Sequence, residues 1–184
     1  MNAHLVFLDE TGFLMTPLVC RTWAPRSPTP VFYQRGGSYQ KLSCIGALAV
    51  PPSRSRLHFY FRWHPNHNIN TDRALRFLRQ LLRQLRRNLL VIWDGAGPHL
   101  ARKVEAFLYR HLRLYLEYLP PYAPELNPVE YAWSYLKKNP LAHHPATALS
   151  GLAETARHSR QSLQRKPRLL RSFLDHSSLF LRLG

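Results

Sequence analysis

The chain has 184 residues, enough for one α/β domain with a sizeable core, and its 45% hydrophobic content excludes wholesale disorder. With 26 basic and 10 acidic residues it carries a formal charge of +16, which indicates a polyanionic partner such as a nucleic acid. The apolar runs are too short to span a bilayer and the N-terminus lacks a secretory signal pattern, so we expect a cytoplasmic protein with no membrane partner.

The first predicted elements are strands, and an acidic residue follows the first of them. His4–Leu8 is an apolar run that ends at Asp9, and an extended pattern resumes at 13–20. Asp9 is therefore either the first residue of an ordinary hairpin turn or a side chain that a strand end presents to a cleft. Further strands are predicted at 42–50 and 57–62.

A basic amphipathic helix is predicted from Thr71 to Arg87. Leucines recur on one face at helical spacing, and arginines follow one position behind them. Two interpretations stay open for the arginines: contacts with the phosphates of a nucleic acid, or a solvated face that keeps the protein soluble. The arginines concerned are Arg76, Arg79, Arg83 and Arg86.

A second acidic residue follows a strand that is predicted to be fully buried. Leu89–Trp93 is a continuous apolar run, and Asp94 comes directly after it. Asp94 either initiates the turn at Gly95–Pro98 or lies in a cleft, because ligands of open α/β sheets collect beyond the carboxyl ends of strands. A helix near 99–110 and a strand at 113–118 follow, and the remaining chain is predicted to be mostly helical.

The stretch from Leu119 to Trp133 carries a third acidic residue onto the first turn of a helix. Asn127 is a good N-cap, Pro128 suits the first helical position, and Glu130 falls three residues after the cap. Glu130 therefore either closes a capping box with Asn127 or faces a cleft.

The three acidic residues form one candidate site if their elements are neighbours. When the strands before Asp9 and Asp94 lie parallel and adjacent, both carboxylates emerge at one edge of the sheet, where Glu130 can join them. Three carboxylates suit Mg²⁺ or Mn²⁺, which prefer oxygen ligands and keep positions open for phosphate oxygens. Two such ions can activate a nucleophile and stabilise the leaving oxygen of a phosphodiester. The element order itself predicts a mixed sheet flanked by helices.

At this point the sequence resembles the DDE transposases of the mariner superfamily, in its bacterial insertion-sequence branch. The matching segments occur in the family's order: Phe7–Phe13, Trp23–Pro30, Val91–Asp94 with His99, and Leu119–Trp133 with Lys137. The resemblance implies an α/β fold of the ribonuclease-H-like type, with a mixed five-stranded sheet flanked by helices. It also implies that residues 1–184 form a single catalytic domain without the N-terminal helix-turn-helix module of relatives.

The resemblance makes Asp9, Asp94 and Glu130 the catalytic, metal-binding triad. The 35 residues between Asp94 and Glu130 are close to the short spacing of the superfamily, whereas Gly95 departs from the Asn that relatives often carry there. Further residues are expected beside the metal ligands or in contact with DNA. Those expected beside the ligands are His99, Glu10 and Asn127, and Lys137 joins the four arginines as a DNA contact.

The function implied is divalent-metal-dependent cleavage and strand transfer of double-stranded DNA in transposition, with Mg²⁺ or Mn²⁺ present as two ions once DNA is bound. The implied partners are the element ends and the target, a separate or fused N-terminal DNA-binding protein, and a second copy of the chain on paired ends. The expected location is the bacterial cytoplasm, on the nucleoid. Two alternatives stay open: a catalytically inactive basic DNA-binding remnant, and a ribonuclease-H-type nuclease that cuts RNA–DNA hybrids.

Overall fold

The structure, a computed structural model, describes residues 2–14, 41–95, 102–138 and 149–179. The predicted strand residues 15–20, the segment Trp23–Pro30 and His99 lie outside these ranges. Within the described ranges, no helix combines the length and the apolar character needed to cross a membrane.

One mixed sheet of five strands forms the centre of the fold. Its strands are β1 (Ala3–Leu14), β2 (Lys41–Val50), β3 (His58–Pro65), β4 (Asn88–Trp93) and β5 (Leu114–Tyr118). They lie side by side in the order β3-β2-β1-β4-β5. Strand β2 is antiparallel to both of its neighbours, β1 and β3, whereas β4 and β5 are parallel to β1. The predicted mixed sheet, and the parallel pairing of the strands that carry the two aspartates, are therefore confirmed.

Five α-helices flank the sheet within the described residues. They are α1 (Thr71–Gln84), α2 (Arg102–Tyr109), α3 (Pro128–Lys138), α4 (Leu149–Gln164) and α5 (Pro167–His176), and a 3-10 helix, Pro124–Leu126, precedes α3. Strand alternation sorts them into two layers. Val6 and Leu8 of β1 join a buried cluster with α1 and α2, whereas Phe7 joins a cluster with α3, α4 and α5.

The prediction for the first two strands is wrong in one respect. The sequence places a break at Asp9–Gly12, but β1 continues without interruption from Ala3 to Leu14. Gly12 pairs with Ser43 of β2, so the glycine that indicated a turn is accommodated inside the antiparallel ladder. Asp9 is thus neither a turn residue nor the last residue of its strand.

The helix α1 begins as predicted and ends earlier. The side chain of Asn70 caps it by accepting a hydrogen bond from the backbone N–H of Arg73 at 3.0 Å. The last helical residue is Gln84 rather than Arg87, and Leu85 already has an extended backbone.

The end of α1 is held by a side chain from the edge of the sheet. The guanidinium of Arg113, just before β5, donates hydrogen bonds of 2.6–3.2 Å to four backbone carbonyl oxygens. These belong to Leu82, Leu85, Arg86 and Arg87. The carbonyl of Leu82 lies in the last turn of α1, where a helix end leaves acceptors without an intrahelical partner, and Arg113 satisfies it. The other three carbonyls belong to residues that follow the helix.

We predict that Arg113→Met lowers the free energy of unfolding by about 1–3 kcal/mol, because it removes charge-assisted hydrogen bonds to backbone carbonyl oxygens, of which those of Leu82 and Leu85 are partly buried. Urea denaturation measures the effect. Arg110→Met is the matched control, since Arg110 is an exposed arginine three residues away. Equal stability of the two variants would contradict a stabilising role for the hydrogen bonds from Arg113.

Candidate active site

A cleft of about 370 Å³ lies where β4 ends beside β1. All three predicted acidic residues, Asp9, Asp94 and Glu130, line this cleft. Gly95 and Asn127 also line it, and the proline-rich segment 119–124 forms the rest of its wall. The elements β1, β4 and α3 therefore deliver one carboxylate each to one concave surface.

Asp9 is presented from the middle of β1 at the point where its parallel neighbour stops. The last β1–β4 pair is Phe7 with Ile92, while on the other side Asp9 lies opposite Gly46 of β2. The side chain is only 5% exposed, although it lines the cleft. Asp9 therefore reaches the cleft because the neighbouring strand β4 ends beside it, not because β1 itself ends there, as the sequence predicted.

Asp94 and Glu130 are more accessible than Asp9. Asp94 is the first residue after β4 and is half-buried, whereas Glu130, the third residue of α3, is exposed. The capping-box interpretation of Glu130 requires the backbone N–H of Asn127, but this group already donates to the carbonyl oxygen of Pro124 at 2.9 Å. Glu130 is therefore placed to face the cleft.

Asn127 caps α3 and also ties it to the sheet. Its Oδ1 accepts a hydrogen bond from the backbone N–H of Val129 at 3.2 Å, as an N-cap does. Its Nδ2 donates to the carbonyl oxygen of Leu8 at 3.1 Å. The predicted cap is confirmed, and the same side chain attaches the start of the helix beside Asp9.

The sequence prediction did not include Trp133 in the site. Its indole Nε1–H donates a hydrogen bond of 2.8 Å to Oδ2 of Asp9, and both side chains are buried. In the sequence, the helical spacing of Val129, Ala132, Trp133 and Leu136 predicts an apolar stripe and indicates Trp133 only as an anchor of α3. The sequence offered one chemical signal: a tryptophan that is buried usually has a hydrogen-bond acceptor for its indole N–H.

The electrostatics of the cleft raise the pKa of Asp9 to about 8. Burial is the largest cause, and the neighbouring carboxylates of Glu130 and then Glu10 add to it. The hydrogen bonds from the backbone of Glu10 and from Trp133 act in the opposite direction but do not offset these effects. The site thus concentrates more negative charge than its own donors neutralise.

The other predicted residues have different surroundings. Glu10 belongs by strand alternation to the α1 side of the sheet, so its carboxylate acts on Asp9 through its charge, while its backbone donates the hydrogen bond described above. The Nζ atom of Lys137 lies 5.7 Å from the ring centroid of Phe13. The four predicted arginines, three on α1 and one two residues after its end, are exposed. Those on α1 lie on the layer opposite α3, and one of them packs its guanidinium carbon 5.1 Å from the Phe107 ring centroid. The four are Arg76, Arg79, Arg83 and Arg86, of which Arg79 makes this contact.

The donor set of the cleft fits a hard divalent cation. Its three acidic side chains offer carboxylate oxygens alone, the ligands that Mg²⁺ and Mn²⁺ prefer. A cation would counteract the burial and, secondarily, the neighbouring carboxylates that raise the pKa of Asp9. Among the described residues, no three His, Cys, Asp or Glu side chains are drawn together tightly enough to form a preformed metal cluster.

Residues 4–152 match the family model described as DDE superfamily endonuclease. A comparison with curated proteins gives no match. Among solved structures, the Mos1 mariner paired-end complex with Mn is similar at a TM-score of 0.63 and 16% identity, covering 97% of this chain and 56% of that chain. The catalytic domain of Mos1 mariner transposase is similar at a TM-score of 0.52 and 14% identity, covering 97% of this chain and 84% of that chain.

These likenesses confirm the predicted ribonuclease-H-like fold. A pre-cleavage Mos1 transpososome gives the same picture, with a TM-score of 0.62, 16% identity and coverage of 97% of this chain and 57% of that chain. The chain thus spans a little over half the length of the Mos1 chains in these complexes.

We predict that the raised pKa of Asp9 makes the metal-free protein less stable as the pH rises from about 4 to about 8. In the unfolded chain this carboxyl has an ordinary pKa near 4, so the folded state binds the proton more tightly. This contribution to stability is fully present below about pH 4 and is lost as the pH approaches the folded value. Urea denaturation should therefore show the stability of the wild type, relative to Asp9→Asn, falling across this window. A difference that does not vary with pH would contradict the assignment.

Proposed function

The chain belongs to the DDE superfamily of endonucleases, and we propose that it is a transposase catalytic domain that cleaves and joins DNA strands with the help of a divalent metal. The observation that carries this proposal is the convergence of Asp9, Asp94 and Glu130 on one cleft from β1, β4 and α3. The same three residues are those that the mariner-type motifs of the sequence assign to the catalytic triad.

Asp9, Asp94 and Glu130 would hold the metal in this proposal. When bound, Mg²⁺ or Mn²⁺, present as two ions once DNA is in place, supplies Lewis acidity that activates the nucleophile and stabilises the leaving oxygen. Mos1 paired-end complexes have been solved with Mn and with Mg, which supports this choice of metals.

The side chains of the cleft differ in what they can do. Buried Asp9 is a fixed ligand, whereas exposed Glu130 can adjust as a phosphate enters from solvent. The segment 119–124 contains three prolines and forms a stiff wall beside the acidic residues. These features favour one orientation of a bound DNA backbone.

The proposed reaction has two displacements at phosphorus. In the first, water forms a P–O bond as the bond from phosphorus to the 3′ oxygen breaks, and the proton lost by the water is balanced by the one that the freed 3′-hydroxyl gains. In the second, this 3′-hydroxyl loses its proton and bonds to a target phosphorus, while the bond from that phosphorus to the target's own 3′ oxygen breaks and leaves a target 3′-hydroxyl. The protein contributes mainly by positioning the reacting groups and stabilising charge, because side chains take little part in covalent chemistry during phosphoryl transfer.

We further propose that the domain works on paired element ends as a dimer, with a DNA-binding module on a separate or fused polypeptide recognising the ends. The Mos1 paired-end complexes support the part of this proposal that concerns paired ends. The proposed place of action is DNA in the bacterial cytoplasm. The exposed arginines of α1 and Lys137 are proposed to contribute contacts with the phosphate backbone.

We predict that Asp9→Asn, Asp94→Asn and Glu130→Gln each reduce Mn²⁺-dependent DNA strand cleavage by at least about 100-fold, because a lost metal ligand removes several kcal/mol of transition-state stabilisation. The measurement is nicking of a duplex that carries element ends, with the DNA-binding module supplied. Circular dichroism verifies that each variant is folded.

Matched controls come from the same region of the chain. Glu125→Gln removes an exposed carboxylate five residues before Glu130, and Asp175→Asn removes an exposed aspartate on α5. Both variants should cleave as the wild type does. Full cleavage by any triad variant would remove that residue from the triad, and cleavage of RNA–DNA hybrids in preference to duplex DNA would contradict the transposase assignment.

We predict that the arginine surface formed by α1 and by Arg86, just after its end, contributes salt-dependent affinity for duplex DNA. Each phosphate contact adds about 0.9 to the slope of log affinity against log salt, so a triple Arg→Gln variant should lower the slope by up to about 3. The substituted residues are Arg76, Arg83 and Arg86. Fluorescence anisotropy at several salt concentrations measures the slope.

A control with the same net charge separates local contacts from overall charge. It replaces three arginines that are exposed on or near α4 and α5. They are Arg157, Arg165 and Arg168. Equal slopes for the two triple variants would show that only the overall charge matters and would contradict the α1 surface.

A further inference from the structure

We propose that Trp133 is a positioning residue for the metal site and that its indole can take up this position because Gly46 has no side chain to displace it. The inference rests on the proposed metal-dependent function and deepens it. It concerns two residues outside the predicted triad and the hydrogen bond through which one of them acts on Asp9.

The first observation is the bond itself. The indole Nε1–H of Trp133 donates to Oδ2 of Asp9 at 2.8 Å, at a site where Trp133 is 1% exposed and Asp9 is 5% exposed. A carboxylate has two oxygens, each of which can accept donors or bind a cation. The indole donor on Oδ2 therefore restricts rotation of the carboxylate and leaves Oδ1 outside this bond.

The second observation is what fixes the indole. A Cβ atom at Gly46 would lie 2.5 Å from Cη2 and 2.7 Å from Cζ2 of Trp133, which is closer than nonbonded carbons approach. Gly46 lies directly opposite Asp9 in the β1–β2 ladder. The ring therefore occupies the space above this glycine and reaches the carboxylate of the neighbouring strand.

Two further aromatic rings enclose the indole. The ring of Phe59 lies 5.7 Å from that of Trp133 at an interplanar angle of 69°, and the ring of Phe13 lies 6.4 Å away at 83°. These edge-to-face contacts restrict the ring further. The indole N–H is therefore already oriented towards Asp9 before a metal ion binds.

The third observation connects the bond to the second carboxylate. Glu130 and Trp133 are three residues apart on α3 and are neighbours on its surface. When Trp133 is seated against Gly46 and bonded to Asp9, the helix turn that carries Glu130 is fixed relative to β1. One side chain thereby sets both the orientation of Asp9 and the distance from which Glu130 approaches.

Mn²⁺ binding by calorimetry tests the proposal. Trp133→Phe keeps an aromatic ring but loses the donor, and we expect at least about tenfold weaker binding, as for other partners that orient a metal ligand. Gly46→Ala keeps the donor but displaces the ring, and it should weaken binding similarly. In the Trp133→Phe background, Gly46→Ala should cost little more, because the smaller ring no longer fills the space.

The matched control is Trp63→Phe. Trp63 packs against Phe13 in the same aromatic cluster, and its indole nitrogen has no hydrogen-bond partner among the described residues. This variant should bind Mn²⁺ as the wild type does. Equal Mn²⁺ affinities of Trp133→Phe and Trp63→Phe would overturn the positioning role, and if Asp9→Asn then abolished binding, the metal site itself would stand.

A measurement on the unmodified protein covers the case in which a variant does not fold. Titration with Mg²⁺ should shift the indole ¹⁵N–¹H resonance of Trp133 and leave that of Trp63 in place. An unmoved Trp133 resonance at saturating Mg²⁺ would overturn the proposal. Absence of both Mg²⁺ and Mn²⁺ binding to the wild type would instead overturn the proposed metal-dependent function, and the positioning role with it.

Discussion

The close contact between Trp133 and Gly46 sets how near α3 lies to the sheet. A residue with any side chain at position 46 would push the indole away, and the hydrogen bond to Asp9 would be lost. Asn127 makes a second attachment through the carbonyl oxygen of Leu8, one residue earlier on the same strand. The cleft thus exists because a helix and a strand more than 100 positions apart in the sequence are joined at adjacent residues.

The charge distribution of the molecule has two opposite parts. The chain as a whole is strongly basic, with a formal charge of +16, yet three of its ten acidic residues line one cleft. The basic surface attracts a polyanion over a long range, whereas the acidic cleft repels its phosphates at short range. A cation bound between the carboxylates and a phosphate removes this conflict, which explains why a basic protein benefits from an acidic site.

Much of the site could be predicted because it depends on local signals. The apolar run before Asp94 identified β4, and the Asn-Pro pair identified the start of α3. The position of Asp9 was predicted less well because Gly12 is a turn signal in local terms. The pairing of Gly12 with Ser43 across the antiparallel ladder keeps this segment in a strand, and the local sequence gives no sign of that contact.

The contact between Trp133 and Asp9 was beyond prediction for a similar reason. Helical periodicity shows which side of α3 is apolar, but it does not show which strand residue lies under each side chain. The two partners are 124 positions apart, and the glycine that makes room for the ring belongs to a third segment. A neighbouring indole and carboxylate could be found only once the strands were aligned.

The bonds from Arg113 to the end of α1 have a consequence for how the domain opens. The donor for these carbonyl oxygens arrives only when β5 has taken its place beside β4, so the last turn of the helix and the edge strand stabilise each other. Residues 82–87 and 113–118 therefore form one cooperative unit for local unfolding. That unit also supports Leu119, whose backbone N–H bonds to the carbonyl oxygen of Trp93 at the start of the cleft wall. Local opening at the edge of the sheet would thus loosen the wall of the cleft before it disturbed the aspartate on the central strand.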